Sequence, residues 1–345
     1  MRIATAIFLL LTASSLAAHH GNNANPLLYF ADDLVELEGE ITDVLWRNPH
    51  TRARLTTLNE EGVEATWELE LQPPPRRFEG MGLFPEDFRG TVKVAGHISR
   101  RNPRSLGVLY FLLPDGREYV QGRAREPRWS SVRVLNEGSS ELDPAKVKAA
   151  EAAADGIFRM WGGLIGPRIE EDLRPQSLTE RGSSLADAYD PLTDNGQLEC
   201  RHGMPDTMFD PVPMEISNEG NQYRIHVAQF NIQRVVHMDA GSTVAEPEPS
   251  PVGYSVGRWE DETLVVETSH VDWPYYSGDG TPQSDQVRYV ERFSVSNDGQ
   301  TLNYSITVSD PEIFAAPFTM ERSRAAAPGT EIEPFNCLVN WKESE

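Results

Sequence analysis

Apolar and polar residues alternate in short runs from Val35 to about Gly122, the period-two pattern of strands with one buried face. The pattern predicts strands at Val35–Trp46, His50–Leu58, Val63–Leu71, Thr91–Ile98 and Val108–Leu113, with Pro114, Asp115 and Gly116 as a turn. Between the third and fourth strands, residues 73–88 read as one short helix and a connector. Three strands, a helix and two strands is the order of a five-stranded OB-like barrel, expected over residues 19–135. Another small antiparallel barrel or sandwich is the alternative.

The texture changes at residues 136–155, where Pro144, Ala145, Lys146, Val147, Lys148 and a run of Ala and Glu predict a helical linker with little apolar face. Strand patterning returns from Met214, in the second domain expected over residues 156–345. It predicts strands at Met214–Ser217, Gln222–Phe230, Gln233–Met238, Gly253–Trp259, Thr263–Ser269, Gln286–Val295, Thr301–Val308 and Phe318–Ser323. Turn signals between them, such as Asn297-Asp298-Gly299, fit successive hairpins. The expected chain is mainly β, the OB-like barrel being followed by a larger antiparallel barrel or curved sheet.

The first eighteen residues change the picture. Arg2, an apolar run from Ile3 to Leu11 and small residues up to Ala18 form the three-part layout of a cleavable signal peptide. That predicts export to the periplasm or beyond. The apolar run is too short for a membrane span, and no later run reaches the required length. In an oxidising compartment the two cysteines, Cys200 and Cys337, are expected to form one long-range disulfide.

Charge narrows the partners. The chain carries 31 Lys and Arg against 53 Asp and Glu, a net −22, and loss of Arg2 with the signal would make it −23. Such a surface repels nucleic acid and anionic membranes, leaving a metal ion, a small molecule or a protein as partner.

Several segments carry a resemblance. They are Ala18-His19-His20, the strand Gly39-Glu40-Ile41-Thr42-Asp43-Val44-Leu45-Trp46-Arg47-Asn48-Pro49-His50, Gly203-Met204-Pro205, Arg234-Val235-Val236-His237-Met238-Asp239 and Gly253-Tyr254-Ser255-Val256-Gly257-Arg258-Trp259. Together these resemble an uncharacterised family of secreted Gram-negative bacterial proteins. The resemblance implies export and architecture, and brings no established activity with it.

The new N-terminus is the most informative chemical feature. Cleavage after Ala17 would place His20 third behind a free amine, a set that can enclose Cu(II) in a plane of nitrogens; Ser15 then stands at −3. Cleavage after Ala18 would place His19 first, so that amine and ring could chelate copper together. His50 is the expected third histidine, since Asn48-Pro49 interrupts the strand before it. Arg52 and Arg54 follow at once and bring positive charge beside that cation site.

A second candidate lies in the C-terminal domain. There His226, Tyr254 and Trp259 could line a pocket for a small apolar ligand, with Asp190, Asp194, His202 and Asp206 on loops upstream. Arg234 and His237, at odd separation, should face opposite sides of one strand. Gly253-Tyr254-Ser255-Val256-Gly257 matches GxSxG in letters but lies within an expected strand and not at a strand-to-helix elbow, and no GxxxxGK[ST] or HExxH pattern occurs, so three large enzyme classes lose their main support. The expected function is a non-enzymatic periplasmic binding protein with copper as candidate ligand. The alternative is an enzyme or small-molecule carrier working from the C-terminal pocket.

Overall fold

The computed structural model describes residues 28–59, 61–122, 125–134, 142–165, 177–238 and 247–337. The segment expected to be a signal peptide, His19 and His20 lie outside the described residues.

The first barrel comprises β1 (Val35–Leu45), β2 (Arg52–Leu58), β3 (Glu64–Glu70), β4 (Gly90–Ile98) and β5 (Ser105–Leu112). The sheet runs β3-β2-β1-β4-β5, and a parallel pairing of β3 with β5, Leu69 opposite Leu106, closes it. This is the OB connectivity. A short β6 (Glu118–Val120) flanks β5. Alternation fills the interior, with Ala53, Leu55, Leu69, Val94 and Phe111 at 0 % exposure and polar neighbours outside. Between β3 and β4, helix α1 (Pro75–Glu79) drives Phe78 into the barrel, where it meets Phe88 and Tyr119, each at 5.2 Å.

β1 serves two partners, β4 through residues 35–41 and β2 through residues 40–45. It must therefore bend sharply across the barrel. Gly39 permits the bend, because a Cβ there would stand 2.1 Å from the Thr56 carbonyl oxygen.

Helix α2 (Pro144–Ala153) follows, N-capped by Asp143 and burying no side chain. The second barrel has nine strands: β7 (Met160–Ile165), β8 (Met214–Asn218), β9 (Gln222–Val227), β10 (Ile232–His237), β11 (Tyr254–Glu260), β12 (Thr263–Ser269), β13 (Arg288–Val295), β14 (Thr301–Ser309) and β15 (Phe318–Ala326). Neighbours in sequence pair around the circle, and β15 returns to β7. Three features differ from the sequence expectation. β7 is an additional strand, whose Gly162-Gly163 pair hides any alternation. The strand expected to run to Phe230 ends at Val227, because Phe230 and Asn231 turn the chain at φ 53°. β10 and β11 run parallel, where successive hairpins were expected.

The interior of the second barrel is filled. Tyr289, Phe293, Leu302 and Ile306 are fully buried, and so is one polar cluster. Within it Arg234 bonds both oxygens of Glu291 and reaches Ser255 Oγ (3.0 Å) and Thr268 Oγ1 (2.6 Å); Tyr304 OH donates to Glu291 (2.9 Å).

The barrel's two ends differ. One carries the tight turns at residues 219–221, 261–262 and 296–300; the other is covered by the long connections at 177–213, 270–287 and 310–317. Arg324 stitches this looped end by donating to the carbonyls of Met208, Asp210, Val212 and Gly162 at 2.7–3.1 Å. Burial lowers its pKa to about 10.

After β15 the chain becomes a strap. Glu331 pairs with Lys146 of α2 at 2.6 Å, Glu333 with Arg76 of the first barrel at 3.1 Å, and Pro334 accepts from Asn48 at 3.4 Å. Phe335 packs on Phe230 at 4.8 Å, and Cys337 is disulfide-bonded to Cys200 with a Cα–Cα distance of 5.8 Å. The expected cystine is therefore present, and it fixes the strap to the looped end. Among the described residues no helix is long and apolar enough to cross a membrane.

Candidate functional site

His50 lies just ahead of β2, at the mouth of the first barrel. Its Nδ1 is 2.7 Å from Oε1 of Glu70, the last residue of β3, and its side chain is 23 % exposed. The buried Tyr29 donates its hydroxyl to the other Glu70 oxygen at 3.3 Å. Three segments distant in sequence thus meet at one carboxylate.

The charge state of that carboxylate settles the tautomer. Burial raises the Glu70 pKa, but the His50 hydrogen bond and charge, with Arg52 nearby, outweigh burial and bring it down to about 2. An ionised carboxylate only accepts, so the His50 Nδ1 facing it carries a hydrogen, which leaves Nε2 as the nitrogen able to offer a lone pair to a metal. A histidine oriented by a carboxylate through one nitrogen is the usual arrangement around a metal-ligating imidazole. In the β2–β3 register Arg52 lies opposite Glu70 and Arg54 opposite Glu68, so each arginine has an acidic cross-strand neighbour.

The chain enters this region from its N-terminal side. Tyr29 bridges to Ser99, and Arg100 N donates to the Leu28 carbonyl, so residues 28–30 run along β4. Among the described residues no group of three or more His, Cys, Asp or Glu could hold a metal ion. Around His50, further ligands have to come from outside the described residues.

The residues proposed for a C-terminal pocket are placed apart. On β9, Tyr223, Ile225 and Val227 point inward, and His226 stands outside, 2.7 Å from Asn231 Oδ1. Tyr254 is also outside, stacked on His237 at 4.8 Å. Trp259 follows the inward series of Ser255 and Gly257 but sits at the tight-turn end, 40 % exposed, donating to the Tyr223 hydroxyl at 3.0 Å. Arg234 and His237 do take opposite faces, Arg234 being buried.

Sequence reading missed Glu70 and Tyr29 as site residues. Glu70 is one of many acids, and only the strand register brings it to His50. Asp279 accepts from the backbone N and hydroxyl of Thr281 (3.1 and 2.8 Å) and from Ser277 Oγ. Comparison with protein-family models, with curated proteins and with solved structures finds no match to this chain.

Proposed function

We propose that this is an exported, non-enzymatic binding protein that holds Cu(II) between His50 and its mature N-terminus. The observation that carries this reading is the Tyr29–Glu70–His50 chain of hydrogen bonds, which fixes the imidazole and turns Nε2 into a ready donor. A free amine with His20 third, or His19 first, would complete a nitrogen-rich set of the kind Cu(II) prefers. His20 stands eight residues before Leu28, a tether of up to about 27 Å when extended, and Tyr29 at its base is hydrogen-bonded to the Glu70 that holds His50.

The test uses the full-length protein, exported and purified, its mature start fixed by intact mass. Titration with Cu(II), followed by visible absorption and electron paramagnetic resonance, should give a nitrogen-ligated signal. His50→Ala should remove the nitrogen that His50 contributes to that signal and weaken binding. Glu70→Gln should weaken binding by about 10–100-fold, as for other partners of ligating histidines. A His50→Ala protein with unchanged spectrum and affinity would remove His50 from the site. A mature protein that keeps several residues ahead of Ala18 and binds no copper would overturn the whole reading.

A further inference from the structure

The acids of this chain are unevenly spread. It carries 53 Asp and Glu in 345 residues, yet none between Asp87 and Asp115. That stretch spans β4, β5 and the turn joining them, and it holds Arg89, Lys93, Arg100, Arg101 and Arg104. Lys93 is met by Glu38 at 2.9 Å, and Arg89 stands just ahead of β4, at the end of the hairpin away from its turn. The other three arginines crowd the turn at residues 99–104, and all three are exposed. The turn lies on the side of the first barrel that carries His50. Tyr29, whose hydroxyl bonds Glu70, bridges to Ser99, and Arg100 Nε donates to the Tyr29 carbonyl at 3.3 Å.

The turn is fixed by its own hydrogen bonds. Arg101 N donates to Ser99 Oγ (3.2 Å), Arg104 N to Asn102 Oδ1 (2.9 Å) and Ser105 N to the Asn102 carbonyl (2.9 Å). Two of the guanidiniums lie over aromatic rings, Arg100 over Phe30 with 4.5 Å to the ring centroid and Arg104 over Trp67 with 5.0 Å. A ring face orients a guanidinium without using up its N–H groups, so the planar fork can still take a carboxylate through two hydrogen bonds. Among the described residues neither Arg101 nor Arg104 forms an ion pair. Of the acids on the adjoining β3, Glu68 lies opposite Arg54, and Glu70 bonds His50 and Tyr29.

We propose that this turn docks an acidic segment of a partner protein, whose carboxylates take the forks of Arg100, Arg101 and Arg104. Charge complementarity selects the partner in two steps. Three exposed arginines with no acid in their turn call for an anion, and arginine beside exposed aromatic surface, here Phe30 at 45 % exposure, is the composition of contact hot spots between proteins. A long polyanion or an anionic bilayer would extend over the rest of a chain whose net charge is −22. A short acidic segment stays within a Debye length of the turn, about 8 Å at physiological salt.

Fluorescence anisotropy of fluorescein-labelled hexaglutamate, titrated with the metal-free mature protein at low salt, tests this. The peptide should bind, labelled hexaglutamine should not, and physiological salt should weaken the binding. Arg101→Glu with Arg104→Glu should weaken it by about tenfold or more. Arg77→Glu with Arg89→Glu alters two exposed arginines away from the turn and changes the net charge equally; it should shift affinity by less than about twofold. Circular dichroism checks each fold. If the Arg101 and Arg104 double variant misfolds, Arg101→Glu alone, at an exposed position, should still weaken binding by about threefold. No binding, a loss no greater in the Arg101 and Arg104 pair than in the Arg77 and Arg89 pair, or tighter binding of labelled hexathymidylate than of hexaglutamate would each overturn the proposal, the last in favour of nucleic acid. His50→Ala should leave hexaglutamate binding intact, which keeps this surface separate from the copper reading.

Discussion

Arg234 and Glu291 are a charge pair placed where water cannot reach, 1 % and 0 % exposed. Ser255, Thr268 and Tyr304 satisfy their remaining hydrogen-bonding capacity. Removing one partner strands the other, so Glu291→Gln should destabilise the second barrel by about 3–5 kcal/mol in urea unfolding. The double change Arg234→Met with Glu291→Leu should recover most of that loss; a double variant as unstable as the single would sink this account. His202 makes a second residue-scale case. Burial disfavours its cation, but Asp210 and then Asp206 outweigh burial and raise its pKa. A raised folded value means stability fully present below the unfolded value of about 6.5 and lost as pH climbs through the folded one. Unfolding free energy should therefore decline above neutral pH, and His202→Asn should lack that slope. A flat wild-type profile would count against it.

At the scale of elements, Gly39 is where the first barrel's construction can be tested. Gly39→Ala forces a methyl group against the Thr56 carbonyl, and thermal unfolding should show a loss of about 1–3 kcal/mol. An unchanged midpoint would show that β1 bends without needing glycine there. β2 and β3 were legible because each has one solvated face, which leaves alternation in the sequence, whereas β4 and β5 carry runs of four buried residues, 94–97 and 106–109, and the start of β5 was read three residues late. β7 was not, since Gly162 and Gly163 carry no hydrophobic signal, and β12 blurs its own because Leu264, Val265 and Val266 are all buried. The end of β9 was obscured by Phe230, an apolar residue that continues the strand pattern while adopting a left-handed turn. Of the proposed copper site, His50 could be singled out from Asn48-Pro49 ahead of it. Its partnership with Glu70 depends on a register that no single strand encodes. The cystine was legible because only one pairing exists for two cysteines.

At the scale of the whole molecule, the cystine closes 137 residues of chain. Cys200→Ser should lower unfolding free energy by an amount on the order of 4 kcal/mol, through the unfolded state's regained freedom. Reductant should reproduce the effect in the wild type and do nothing further to the variant. The strap that ends at this cystine is held in two different ways. Its far end is covalent, whereas its ties to Arg76 and Lys146 are exposed ion pairs of the kind salt weakens. The same eleven or so residues thus have two separate releases, thiol chemistry at the looped end and ionic strength along the first barrel. A compartment that is oxidising but briny would free the side of the strap that touches Asn48, two residues from His50, while leaving its far end tethered to Cys200.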